Sequence, residues 1–269
     1  MKTLLVGGCS WTDANFTSAW DRSVRYKNPW PNQLATMLGD GWKVYNVALC
    51  GNNNQQIAQD IVSAIESRRV KPDLVVVMWT DWMRFSFGKH LVTPYTVFMS
   101  DETNAPLIRQ INDTFGPDAY LLYKGMVDLF IKYSINISTI VERNMYTMFM
   151  LSCYLKQRGI QHYFTQGVGS INPYVFKRMV RKQLLPSKFL HFANEQNWAR
   201  GILDSVYYHQ LETTPNYGFP WLPSLGGDTM SDLMYTTLGK ERHMITKQDR
   251  HPSEESHKLM AETIYENLY

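Results

Sequence analysis

Residues 74–79 read Leu-Val-Val-Val-Met-Trp, an unbroken apolar run between Pro72-Asp73 and Thr80-Asp81. The run is far too short to cross a bilayer. It has no polar face to turn toward water, so it must be covered on both sides. A short β-branched run covered on both sides is the pattern of a central strand in a parallel sheet. Parallel strands need crossover connections, usually helices, to carry the chain back. This one stretch therefore predicts an α/β architecture.

The flanking sequence has the alternation that such a sheet requires. Thr3 to Val6 reads as a first buried strand. Asn28 to Gly41 reads as a short helix, with Pro31 in its first turn, Leu34 and Leu38 four apart, and Gly39 as its stop. Trp42 to Cys50 reads as a second strand closed by Gly51. Asn52, Asn53 and Asn54 offer N-caps for a helix whose buried stripe is Ile57, Ile61 and Ile65. Residues 118–158 read as two helices meeting near 133–136, closed by Gly159, and Ile160 to Gln166 as a fourth strand. Near the end, Pro252 breaks the chain and Ser253 caps a last helix. Glu254 and Glu255 stand in its first turn, where the dipole favours them. Ala261, Ile264 and Leu268 form its buried face. Strands alternating with helices predict a parallel sheet with helices on both faces.

In residues 167–248 Pro, Gly, Trp and Tyr recur without clear periodicity. They read as an insertion of long loops, with short helices around 174–183 and 191–208. The whole is expected to be one domain, 1–269, carrying that insertion.

Composition narrows the function classes. Apolar residues make up 44% and charged residues 19% of the 269, the balance of a folded chain rather than a disordered one. A net charge of +3 with no Lys/Arg block gives no reason to expect a nucleic-acid partner. Three cysteines, Cys9, Cys50 and Cys153, argue against a disulfide framework and are expected to be buried reduced thiols. Met1-Lys2 leads directly into a strand with no signal-like segment, so a soluble protein of a reducing, cytoplasmic compartment is expected, with no membrane partner. His90, His191, His209 and His243 have no metal-ligand spacing, so no metal is expected. Gly7-Gly8 lacks the remaining glycines of a dinucleotide fingerprint and there is no phosphate loop, so no cofactor is expected. His257 is expected on a solvated face of the last helix, and His162 in the core.

The chemistry-bearing residues fall where an open parallel sheet binds ligands, beyond the carboxyl ends of its strands. Ser10 follows the first strand in "GGCSWTD", Gly51 the second, and Thr80-Asp81 the third. Asp249-Arg250-His251-Pro252 stands just before the last helix. A serine needs a base to become a nucleophile, and a histidine base needs an acid to orient it. Ser10, His251 and Asp249 supply the three types. Backbone N–H groups at Ser10 and Gly51 could stabilise an oxyanion.

In these blocks the chain resembles the SGNH hydrolases, the GDSL-like esterases and lipases. "GGCSWTD" with Ser10 is similar to their nucleophile block, "NVALCGNNN" with Gly51 to their second block, and "DRHPSEESH" with Asp249 and His251 to their last. The resemblance covers residues 1–80 and 240–269. It implies a flavodoxin-like three-layer sandwich and a serine esterase. Ser10, Asp249 and His251 would be catalytic, with the oxyanion hole at Ser10, Gly51 and the position of Asp81.

Two departures stand out. One residue, Arg250, separates Asp249 from His251, where the family often has two. More importantly, Asp81 falls near the family's third-block asparagine, and a carboxylate there would repel an oxyanion. Asn52, Asn53, Trp82 and Arg84 are the candidate replacement donors. The expected substrate is a small ester or acylated glycan, for instance O-acetyl groups of a carbohydrate. The chain also looks like SGNH-type proteins of tailed bacteriophages. The alternative expectation is therefore a catalytically reduced structural or glycan-binding component of a virion or other assembly; for partners, a homo-oligomer or virion assembly is expected as an option.

Overall fold

The computed structural model describes residues 1–18, 21–81, 84–87, 90–92, 108–109, 112–113, 116–125, 137–168, 229–246, 249 and 251–268. Within them the order is β1 (Lys2–Gly7), α1 (Trp30–Met37), β2 (Trp42–Asn46), α2 (Asn54–Glu66), β3 (Leu74–Trp79), β4 (Phe85–Phe87) and β5 (His90–Val92). Then come α3 (Ile137–Gln157), β6 (Gln161–Gln166), α4 (Met230–Arg242) and α5 (Glu254–Glu266).

β2, β1, β3 and β6 form a parallel sheet in that order, and β4 and β5 form a separate antiparallel pair. β3 lies between β1 and β6, and every residue from Leu74 to Trp79 is buried. Its unbroken apolar run is thereby explained: both of its faces are covered. On one face, Leu4, Val6, Leu74, Val76 and Met78 pack in a core with Trp30 and Leu34 of α1, Leu233 of α4, and Met260 and Ile264 of α5. On the other, α2 lies against β1 and β3, and α3 against α2 and β6. A side chain at Gly7 would meet Ile61 Cδ1 at 2.9 Å, so glycine there lets α2 approach the strand. The three-layer α/β fold expected from the sequence is present.

Local signals account for most boundaries. Asn53 caps α2 with a capping box: its side chain accepts from Gln56 N–H while the Gln56 side chain accepts from Asn53 N–H. Ser253 caps α5, accepting from Ser256 N–H. Pro31 sits in the first turn of α1, where its missing N–H breaks no helical bond. Gly39 and Gly159 follow their helices at φ 99° and 67°.

Three expectations need correction. β2 ends at Asn46, short of Cys50, because the Asn46 carboxamide accepts from Ala48 N–H and donates to Thr12 O, turning the chain toward the first loop. Ile65 is only half-buried, and Ala64 joins Ile57 and Ile61 on the inner face of α2. Cys50 is exposed and Cys153 half-buried, while Cys9 is buried. The helix α4 lies within the stretch read from sequence as insertion, and it packs on α5. The expected junction near 133–136 and the short helices at 174–183 and 191–208 lie outside the described residues.

Candidate active site

After β1 the chain turns sharply, with Thr12 and Asp13 N–H groups both donating to Cys9 O at 2.9 and 3.0 Å. Ser10 lies inside this turn and is buried. Gly8 makes the turn feasible. A Cβ at that position would come within 2.3 Å of Thr12 Oγ1 and 2.6 Å of Thr12 Cβ. The turn is held from outside as well. Trp30 Nε1 donates to Thr12 Oγ1 at 3.3 Å and Asn46 Nδ2 to Thr12 O at 2.6 Å. Asp13 joins this loop to the one after β2, accepting from Asn15 N–H at 2.8 Å and from Cys50 N–H at 2.9 Å.

Asp249 and His251 occupy the connection between α4 and α5. That connection is built as a narrow hairpin. Met244 and Pro252 form an antiparallel bridge, Ile245 N–H donates to His251 O at 2.9 Å, and Thr246 N–H donates to Asp249 O at 3.2 Å. The hairpin brings His251 across 241 positions of sequence, so that its Nε2 lies 2.9 Å from Ser10 Oγ. His251 Nδ1 lies 2.6 Å from Asp249 Oδ1, and His251 N–H donates to the same oxygen at 3.1 Å. One tautomer satisfies both ring contacts: Nδ1–H donates to the carboxylate and Nε2 accepts the serine proton.

The acid is enclosed and the base is not. The side chain of Asp249 is 2% exposed and that of His251 is 30% exposed. Burial would raise the Asp249 carboxyl. Hydrogen bonds from His251 and Ser18, with the nearby imidazole, outweigh burial and hold it below the ordinary carboxylate range. An anionic Asp249 beside Nδ1 favours an imidazolium if His251 takes the serine proton.

Gly51 follows β2 at φ 89°, a conformation L side chains rarely adopt. Among the described residues no acceptor engages the N–H of Ser10 or of Gly51. Asn52 donates through Nδ2 to Asp60 Oδ2 at 2.8 Å, so that proton is already committed. Asn53 is engaged as the α2 cap. Arg84 reaches Asn52 O through Nη1 at 3.5 Å. Asp81 is buried just beyond β3, and Trp82 and Arg250 lie outside the described residues.

Sequence reasoning missed several residues that shape this site. Phe16 lies against the His251 ring with centroids 4.2 Å apart and stacks on Tyr26 at 4.6 Å. Ser18 donates to Asp249 Oδ2. His257 is fully buried, contrary to expectation. Tyr26 packs edge-on against it at 4.1 Å, and its Nδ1 accepts from Trp30 N–H at 3.3 Å. Burial, then the neighbouring His251, pushes its pKa down to about 3. His162 is the core histidine expected, 2.9 Å from Ser152 Oγ and paired through Nδ1 with Ile160 O. Cys50 belongs to the same neighbourhood. Its thiol is pushed up to about 11, first by desolvation and then by Cys9, although the residue as a whole is exposed.

Among the described residues no group of three or more His, Cys, Asp and Glu could hold a metal ion. No described helix is long and apolar enough to cross a membrane.

No protein-family model and no curated protein matches the chain. Solved structures do. TesA is similar over 99% of this chain and 98% of its own, at 12% identity and TM-score 0.49. A lipase/acylhydrolase from Enterococcus faecalis is similar over 100% and 95%, at 12% identity and TM-score 0.45. Axe2, an acetylxylan esterase from Geobacillus stearothermophilus, is similar over 99% and 94%, at 12% identity and TM-score 0.46. Likeness this distant carries no argument about chemistry, which rests on Ser10, His251 and Asp249 themselves. In motif order, and in its flavodoxin-like sheet β2-β1-β3-β6, the chain is similar to the SGNH, or GDSL-like, hydrolases.

Proposed function

We propose that the protein is a serine ester hydrolase. The observation that carries this reading is the continuous relay from Ser10 Oγ through His251 Nε2 and Nδ1 to Asp249 Oδ1, with contacts of 2.9 and 2.6 Å. Ser10 Oγ attacks the ester carbonyl as its proton passes to His251 Nε2. The resulting imidazolium is oriented and stabilised by Asp249. The carbonyl oxygen becomes an oxyanion, for which the Ser10 and Gly51 N–H groups are the proposed donors. Collapse expels the alcohol, which leaves with the proton from His251. Water then attacks the acyl-enzyme with His251 again as base, releasing the acid and restoring Ser10.

O-acetyl groups of a carbohydrate are the proposed substrate class. The support is the aromatic share of the whole sequence, 13%, since such rings can stack on a sugar face. The test is a fluorophosphonate probe, whose phosphorus is attacked by an activated serine with loss of fluoride. Mass spectrometry should find the adduct on Ser10, and p-nitrophenyl acetate should be hydrolysed. A folded protein that neither labels nor hydrolyses would favour a catalytically reduced glycan-binding or assembly component. The feature supporting that second reading is the buried carboxylate of Asp81 beyond β3.

A further inference from the structure

The relay does not end at Asp249. Oδ1 is taken by His251, through both the ring and the backbone N–H. Oδ2 accepts from Ser18 Oγ, a buried hydroxyl 231 positions earlier in the chain. The hydroxyl is oriented for that task. Asp21 N–H donates to Ser18 Oγ at 3.2 Å, which occupies a lone pair and leaves the hydroxyl proton for the carboxylate. The backbone around it is tied down too: Ser18 N–H donates to Val24 O at 3.0 Å, and Thr17 bridges Arg25. The same segment supplies Phe16 against the His251 ring, with Tyr26 behind it. At its far end Lys27 N–H donates to Glu254 Oε1 at 2.8 Å, joining it to the start of α5.

We propose that Ser18 is a positioning residue of the relay, fixing the plane of the Asp249 carboxylate and so the direction in which His251 faces Ser10. The proposal deepens the serine hydrolase reading and rests on it for its catalytic consequence. A carboxylate held by one oxygen alone can rotate about its terminal bond. Held by both, it presents Oδ1 to Nδ1 in one orientation. The Ser18 hydroxyl dipole also drains negative charge from the carboxylate, which tempers its hold on the imidazolium.

Among the described residues, titratable groups coupled to this cluster include Tyr26 from the same segment, His257 from α5, Cys9, Asp13 and Cys50 from the two loops, and Arg84 beyond β3.

The experiment reads His251 directly, by NMR titration of its ring in the wild type, Ser18→Ala and Ser18→Thr. Loss of the hydroxyl leaves more charge on Asp249, so the His251 pKa should rise by about 0.5 unit or more in Ser18→Ala. Ser18→Thr keeps the donor and should titrate with the wild type. Turnover of p-nitrophenyl acetate should fall ~10-fold in Ser18→Ala, and return to within about 2-fold of wild type in Ser18→Thr. The acidic limb of kcat/KM should move with the NMR value. An unmoved titration in Ser18→Ala, or the same shift in Ser18→Thr, would overturn the proposal. If Ser18→Ala fails to fold, Ser18→Cys, a weaker donor of similar size, takes its place: a raised His251 pKa upholds the proposal and an unmoved one overturns it. A wild type that neither hydrolyses nor labels, but whose His251 still responds to Ser18→Ala, would reject the hydrolase reading while leaving the positioning role standing.

Discussion

Asn54 forms a two-way pair with the backbone of Thr80: Thr80 N–H donates to Asn54 Oδ1 at 2.9 Å, and Asn54 Nδ2 donates to Thr80 O at 3.2 Å. The first turn of α2 is thereby fixed to the end of β3, and so Gly51 to the approach of Asp81. Asn54 Nδ2 also donates to Asn144 Oδ1 of α3 at 2.7 Å. Removing this carboxamide would orphan the buried Thr80 N–H and take one donor each from Thr80 O, which keeps Gln166 Nε2 at 2.8 Å, and from Asn144 Oδ1. Asn54→Ala should lower stability by about 1–3 kcal/mol, read from the urea midpoint, because an orphaned buried group costs about that much. Turnover should fall as well, since the loops at this edge lose their mutual placement.

Ser10→Ala and His251→Ala should each reduce hydrolysis of p-nitrophenyl acetate by about 10³-fold or more, because nucleophile and base act as a unit. The double variant should be little worse than either alone. Circular dichroism should remain that of the wild type. A single variant that retains the wild-type rate would remove its residue from the mechanism.

Asp81→Asn replaces a carboxylate with a donor at nearly constant volume, near the place where the resemblance implies an asparagine. Turnover on one activated ester should rise by ~10-fold, given what single oxyanion donors contribute. An unchanged rate would mean that Asp81 serves the backbone beyond β3. A lower rate would give it acid–base work of its own.

Acid should weaken the fold through His257. The unfolded imidazole takes a proton below about 6.5, whereas the buried one resists until about 3. Between those values the unfolded state binds more protons, so stability rises with pH across the window. The contribution is complete above the upper value and is lost progressively below it. Between pH 7 and 5 it amounts to about 2 kcal/mol. His162, also held down by burial, acts in the same direction. His257→Asn can still accept from Trp30 N–H and should flatten the dependence by that amount in urea titrations at the two pH values. An equal slope in the variant would place the titration elsewhere.

Gly8→Ala should impair the nucleophile turn more than the fold. The added methyl would overlap Thr12 Oγ1 and Cβ, and Thr12 is itself buried and bonded to Trp30. Forcing that space open should cost about 1–3 kcal/mol. Activity should fall further than the loss of folded protein accounts for, measured at a temperature where circular dichroism shows the variant folded.

What the chain order alone determined is the part whose physics is local. The buried run Leu74–Trp79, the cap at Asn53, Pro31 in the first turn of α1 and the glycine stops all rest on propensities and periodicities spanning a few residues. They were legible without coordinates, and they place Ser10, Gly51 and Asp81 at one edge of a sheet. Asp249 and His251 could be paired with that edge by type and by order in the chain. The tertiary structure decided the rest, because those contacts join residues whose separation leaves no pattern. Ser18 meets Asp249 across 231 positions and Asn54 meets Asn144 across 90. His257, on the last helix, reads from the sequence as a solvated residue. It is buried because Tyr26 and Trp30, from a distant part of the chain, close over that side of α5. Cys50 looked like the end of a buried strand, and the Asn46 carboxamide ended that strand four residues earlier. A side chain's environment is a property of what folds over it, and local sequence carries only the half of that contact it contributes.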